Sequence, residues 1–167
     1  ALRRPSTPFD ALRRPSSPFG GWQEAMDTDD GSSYIHTYSN VFVYGDNGLK
    51  SDFGGHDHTW IGNLLLYVGN CYGAGFAKFM WGWPGYNDAF VNNTCVFRST
   101  YASDCGRDAS FDIRANRVYS NNGTLRVCGG KYSFGEWQSQ GHDTESSLGV
   151  WPDDGALIEQ AKALLGF

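Results

Sequence analysis

Four short runs, Asn40-Val-Phe-Val-Tyr44, Asn63-Leu-Leu-Leu-Tyr67, Asn93-Thr-Cys-Val-Phe97 and Asn116-Arg-Val-Tyr119, decide how this chain is read. Each opens on Asn and continues in residues that favour strands, and the four Asn stand 23, 30 and 23 residues apart. A period near 23 with one insertion predicts the coils of a parallel β-helix, in which each strand stacks on its equivalent in the next coil. Stacked Asn side chains then hydrogen-bond along a ladder. The second position after each Asn (Phe42, Leu65, Cys95, Val118) forms an apolar column on the inner face, because strand side chains alternate. The same pattern also fits a turn before each strand of an antiparallel sandwich.

The four cysteines favour the stack. Cys105 follows Asn93 by twelve residues and Cys128 follows Asn116 by twelve. Equivalent positions in neighbouring coils are about 4.8 Å apart, inside the roughly 4.4–6.8 Å that a disulfide spans between Cα atoms. A Cys105–Cys128 bridge is therefore expected, leaving Cys71 with Cys95. None of the four has the C-x-x-C spacing of a zinc site. Two sequons, Asn92-Asn-Thr94 and Asn122-Gly-Thr124, agree with disulfides in pointing to an extracellular, secreted glycoprotein modified at Asn92 and Asn122.

Outward from these runs, the chain has 167 residues, 19% charged and 16% aromatic, with 22 Gly. That length suits one domain, and that mix excludes disorder and helical bundles. The apolar run from Ile61 to Val68 is far shorter than the roughly 20 residues of a membrane helix, so no membrane span is expected. The net charge of −5 is uneven. Residues 1–20 carry Arg3, Arg4, Arg13 and Arg14 against Asp10, a net +3, so the rest stands at −8. A body so acidic is a poor partner for nucleic acid.

Residues 1–20 are a decapeptide written twice, ALRRPSTPFD and ALRRPSSPFG. Pro5, Pro8, Pro15 and Pro18 remove backbone donors and fix φ, so an extended arm is expected. Its Phe9 and Phe19 fill apolar pockets while its Arg side chains seek an acidic surface. After this arm come a β domain over 21–151 and a helix over 152–167. In that helix Leu157, Ile158, Ala161, Leu164 and Leu165 share one face, and Asp153 or Asp154 caps it. Its expected use is to cover the C-terminal end of the coil stack. The fold class is thus all-β: about four to five coils, a C-terminal amphipathic helix and a Pro-rich arm.

Three constellations carry candidate chemistry. Asp27, Asp29 and Asp30 cluster at a coil edge as Ca²⁺ ligands would, since that ion takes several hard oxygens. One coil later Lys50, its pKa depressed beside a cation, is placed to remove the proton α to a uronate carboxylate. Asp-Gly turns and a Lys–carboxylate pair explain the same residues structurally. His36, His56, Asp57 and His58 are a second group, weighed as transition-metal ligands against ladder hydrogen bonds. Phe79, Trp81, Trp83 and Tyr86 lie in the 30-residue coil and suit either sugar stacking or a cover over the coil.

The runs DDGSSY (29–34), NGLKSDFGGHDH (47–58), the Gly62-Asn63 pair and YGAGF (72–76) resemble right-handed parallel β-helix proteins, in particular the family nine pectate lyases. The run EWQSQGHDTES (136–146) is similar to the closing segment of secreted β-helix proteins. The resemblance implies a right-handed coil, calcium ligands at Asp29, Asp30 and Asp27, and Lys50 as base. Ser33 stands where the lyase pattern has a further Asp. Four to five coils are short for a groove that holds several sugars. The expected function is therefore structural, a homo-oligomer or filament built head-to-tail through the arm. A Ca²⁺-dependent uronate lyase and a carbohydrate-binding module acting on a polysaccharide are the alternatives.

Overall fold

Runs of apolar, β-branched and aromatic residues, cut every few positions by Gly, Asn or Ser, give strands of two to five residues. A computed structural model describes residues 25–28, 31–45, 48–51, 55–74, 87–98, 112–128 and 130–167. The arm of residues 1–20, with Arg3, Arg4, Phe9, Arg13, Arg14 and Phe19, lies outside them.

All the described strands but β12 and β13 fall into three parallel sheets that the chain visits in a fixed order. The first sheet holds β1 (Met26–Thr28), β4 (Leu49–Ser51) and β7 (Tyr72–Ala74). The second holds β2 (His36–Tyr38), β5 (Thr59–Ile61), β8 (Ala89–Val91) and β10 (Asp112–Arg114). The third holds β3 (Val41–Val43), β6 (Leu64–Val68), β9 (Thr94–Phe97), β11 (Arg117–Ser120) and β14 (Ser147–Val150). Registers such as Phe42 with Leu65, Leu65 with Cys95 and Cys95 with Val118 reproduce the spacings of the Asn-led runs. Each circuit therefore lays its strands on those of the circuit before.

The corner between the second and third sheets explains the Asn spacing. Ser39, Gly62, Asn92, Ala115 and Glu145 all take left-handed φ, from 54° to 66°. Four of them carry a Cβ, which disfavours that conformation by roughly 1–2 kcal/mol each. The next residue offsets the cost. The N–H of Asn40 donates to Asn63 Oδ1 (3.0 Å), that of Asn63 to Asn93 Oδ1 (2.9 Å) and that of Asn93 to Asn116 Oδ1 (2.9 Å). In turn Asn63, Asn93 and Asn116 donate through Nδ2 to the carbonyls of Thr37, Trp60 and Phe90 one circuit back. Asn63, Asn93 and Asn116 are buried with every polar atom engaged.

Inward-pointing Leu49, Trp60, Leu65, Phe90, Cys95 and Val118 fill the space between the sheets. Cys71 and Cys95 are disulfide-bonded, with Cα atoms 5.9 Å apart. Cys128 is also disulfide-bonded, and its partner lies outside the described residues. Among the described residues no helix is long and apolar enough to cross a membrane.

Beyond β11 the chain leaves the circuit and closes it. An antiparallel hairpin of β12 (Arg126–Val127) and β13 (Tyr132–Ser133) leads into α1 (Phe134–Ser139). Ser133 and Glu136 form a reciprocal capping box at the start of α1. Leu125, Val127 and Phe134 join the interior, so this unit covers the C-terminal end of the stack. The expected terminal helix, α2 (Asp154–Leu165), is present; Asp153 caps it, accepting from the Ala156 N–H at 2.9 Å. It does not lie across the end of the stack. Leu157 packs on Leu64, Leu66, Tyr67 and Val96, the outward face of the third sheet. The physical reason is that Leu64, Leu65 and Leu66 are apolar in succession, so both faces of β6 require cover.

Candidate functional site

The predicted lyase residues are brought together only in part. Asp27 is exposed on β1 and stands in register with Lys50 of β4, which is itself in register with Gly73. Asp29 and Asp30 lie outside the described residues, as do Trp81, Trp83 and Tyr86. Among the described residues no three His, Cys, Asp or Glu side chains are grouped to hold a metal ion.

The histidines are dispersed by the same register that builds the ladder. His36 meets the Thr59 hydroxyl on the outer face of the second sheet. His56 Nδ1 contacts Asp57 Oδ2 at 2.7 Å, and that hydrogen bond is the main reason the Asp57 carboxyl is held below its usual range. His58 points inward. Its Nδ1 accepts from the Ile35 N–H at 3.3 Å, and its own N–H donates to Asp88 Oδ1 at 2.9 Å. This makes a second, shorter ladder one corner away from the Asn ladder. Burial, then the charge of His56, depress the pKa of His58, whose Nε2 is buried with no hydrogen-bond partner among the described residues. His58 alone of the three is a rung of this ladder, while His36 and His56 bond to Thr59 and Asp57.

A different site lies where α2 crosses the third sheet. Between β3, β6 and the helix runs a groove of about 190 Å³ walled by Val43, Leu66, Leu157, Ile158 and Leu165, with Asp154 and Lys162 at its margins. Asp154 accepts from the Tyr67 hydroxyl. Tyr67 stacks on Tyr44 at 5.9 Å and meets Trp151 edge-on at 5.6 Å, while Trp151 Nε1 donates to the Phe97 carbonyl at 2.7 Å. These contacts fix the helix against the sheet and leave the groove a preformed shape. Glu159 and Lys162 are paired at 2.8 Å on the exposed side of α2. Val43 and Leu165 remain 42% and 52% exposed, large values for apolar residues flanking one cleft.

Sequence reasoning missed this groove because it placed α2 at the end of the stack. The signal was present in the unbroken apolar runs of β3 and β6, which demand an outer partner as well as an inner one. Comparison of the chain with protein-family models, with curated proteins and with solved structures finds no match. The functional reading rests on the residues themselves.

Proposed function

We propose that this protein is a short right-handed parallel β-helix, similar to pectate-lyase-like secreted proteins, that serves as an extracellular structural glycoprotein and assembles through its N-terminal arm. The observation that carries the reading is the apolar groove beside α2, edged by Asp154 and Lys162, with Asp153 capping the helix and Glu159 on it. At about 190 Å³ it falls below the roughly 300–1,000 Å³ of small-molecule sites, and it suits single side chains instead. The arm offers Phe9 and Phe19, each a few residues from an Arg pair, on a Pro-stiffened segment that loses little entropy on docking. Apolar anchor meets groove, and guanidinium meets carboxylate. Seating the arm of one subunit in the groove of the next gives a heterologous contact, which builds open filaments unless its rotation closes.

Arg→Glu at Arg3, Arg4, Arg13 and Arg14 is expected to weaken assembly at least about tenfold by placing like charges together. Adding Glu159→Arg to that variant is expected to recover part of the loss. Sedimentation velocity at fixed protein concentration reads both. Assembly unchanged by the four substitutions overturns the arm's role.

One observation favours a second reading, the register that sets Asp27 beside Lys50. A Ca²⁺-dependent uronate lyase predicts unsaturated product from polygalacturonate or alginate that disappears in Lys50→Ala. The absence of product with the parent chain rejects it.

A further inference from the structure

The two sequons differ in a way that their sequences conceal. Asn122 is exposed on the turn that follows β11, a turn drawn together by the Gly123 N–H bonding to the Ser120 carbonyl, with Gly123 at φ 71°. Asn122 Oδ1 accepts from its own Thr124 twice, from the backbone N–H at 3.0 Å and from the hydroxyl at 2.7 Å. The Ser120 hydroxyl approaches the same oxygen at 3.4 Å. Nδ2 has no hydrogen bond among the described residues and faces solvent. Donors gathered on Oδ1 draw electron density toward oxygen, so the amide N–H becomes more acidic and Nδ2 becomes easier to deprotonate and use as a nucleophile.

Asn92 is also exposed but is built otherwise. It is a left-handed corner residue, φ 54°, whose N–H is bonded to the Arg114 carbonyl. Asn93 beside it is buried in the ladder. The Thr94 N–H donates to the Asn63 carbonyl at 2.8 Å. Thr94 therefore cannot turn its N–H back to Asn92 Oδ1 without giving up a bond between circuits.

We infer that Asn122 is the site at which the folded chain accepts an N-linked oligosaccharide, and that the fold withholds Asn92. The donor is a polyprenyl-diphosphate oligosaccharide presented by a transferase that reads Asn-x-Thr. Nδ2 attacks the anomeric carbon, the bond from that carbon to the diphosphate oxygen breaks, and the diphosphate leaves with the electron pair. The Nδ2 proton passes to a base of the transferase, and no redox partner is needed. The glycan then projects from a turn that abuts Val150, since a Cβ added at Gly123 would lie 3.1 Å from Val150 Cγ2.

The assay uses the folded, disulfide-intact chain, a purified single-subunit transferase and the lipid-linked donor, with site occupancy read by mass spectrometry. The same assay on reduced, unfolded chain is the reference. Occupancy at Asn122 is expected to exceed that at Asn92 by about tenfold in the folded chain, the weight of one backbone hydrogen bond, and to approach parity in the unfolded one. Thr124→Ser is expected to retain modification, and Asn122→Gln to leave the folded chain nearly bare. Modification of Asn92 at or above the level of Asn122 in the folded chain overturns the inference, and so does a bare Asn122, whatever the unfolded chain does. Because enzyme and donor are supplied, the result is independent of where the protein resides. Material from its natural source that bears no glycan would instead count against the extracellular reading.

Discussion

The two ends of the stack are finished differently. At the first circuit no described strand pairs with the far edges of β1, β2 and β3. Asn40 is exposed, donating to the Tyr38 carbonyl and to Asn63 Oδ1, while its own Oδ1 receives nothing among the described residues. At the last circuit the ladder position is taken by Ser146. Its hydroxyl accepts from the Asn116 N–H at 2.7 Å and donates to Asp143 Oδ1 at 2.5 Å. The Gln138 amide donates to the carbonyls of Asp143 (3.0 Å) and Ser146 (2.8 Å). The hydrogen-bond sequence that continues through Asn63, Asn93 and Asn116 is thus terminated by local side chains at one end, and at the other no described residue carries it beyond Asn40. The strand edges themselves do not differ: no described strand pairs with the far sides of β1, β2 and β3 at one end or of β7, β10 and β14 at the other. The same ladder position therefore contributes differently along the stack, according to whether neighbours on both sides supply its hydrogen bonds.

The largest expected effect lies midway between the ends. Asn93→Ala strips acceptors from the Asn63 N–H and Nδ2 and a donor from the Trp60 carbonyl, all buried. At roughly 1–3 kcal/mol per buried polar group left unsatisfied, the variant is expected to lose about 3–5 kcal/mol in urea unfolding. A loss below about 1 kcal/mol would mean that the ladder is a by-product of register and holds nothing together.

Next comes the sealed end. Gln138→Leu keeps the bulk of the side chain and removes both closing bonds, at an expected cost of about 1–2 kcal/mol. Hydrogen exchange should quicken at Ser147 and Gly149 before it does at Leu65. Uniform quickening through the stack would show that Gln138 supports the fold generally and does not act as a local closure.

How much of this was legible follows from which residues repeat. Asn40, Asn63, Asn93 and Asn116 announce a ladder because one residue type must recur wherever the same corner recurs, and Cys71–Cys95 was the pair left over once that register had joined Cys105 to Cys128. Ser146 hides the last circuit: a hydroxyl does the work of an amide there, after an excursion through a hairpin and α1 that no spacing foretells. The α2 stripe predicted a helix correctly but not its seat, since an amphipathic pattern states that a face is covered and leaves open by what. The groove, made from residues far apart in the chain, had no linear signature. Asp27 and Lys50 were legible as neighbours in register, which is short of a catalytic arrangement.

A smaller effect is expected from pH, and its sign differs between the ends. His58 holds the first circuit to the second through the Ile35 N–H, and burial lowers its pKa below 6.5. Its folded-state pKa is below the unfolded one, so the stability it brings is complete above pH 6.5 and is lost as pH falls through the folded value. Protonation places an N–H opposite the Ile35 N–H. The charge of His56 deepens the shift, while the hydrogen bond with the Ser32 backbone and the charge of Asp57 oppose it; Asp88 faces the His58 backbone N–H. At the sealed end burial raises the pKa of Asp143 above 3.8. There the folded state binds its proton more tightly, so stability rises as pH falls through the folded value toward 3.8. With exchange corrected for its intrinsic pH dependence, acidification from pH 7 to 5 should therefore lower the protection of Ile35 and leave that of Ser147 unchanged or higher. The reverse order would remove His58 from the first contact between circuits.

The smallest expected effect is at the open end itself. Asn40→Ala removes two donations, to the Tyr38 carbonyl at 2.9 Å and to Asn63 Oδ1 at 3.2 Å. Both are at an exposed position where water replaces them, and Asn63 Oδ1 keeps the Asn40 backbone N–H. The cost is expected to be about 0.5 kcal/mol, near the lower end for a solvent-accessible hydrogen bond. The same substitution at Asn93, two circuits on, also removes the bonds that its Oδ1 accepts, so the ratio of the two effects combines burial with the number of bonds lost. Assembly sharpens the comparison. If a second copy or the arm of a neighbour covers this edge in the associated state, Asn40→Ala should cost more in assembled material than in dilute monomer, because water no longer substitutes for the amide. An equal, small effect in both states would place the assembly contact away from the first circuit and leave the groove beside α2 as its sole receptor.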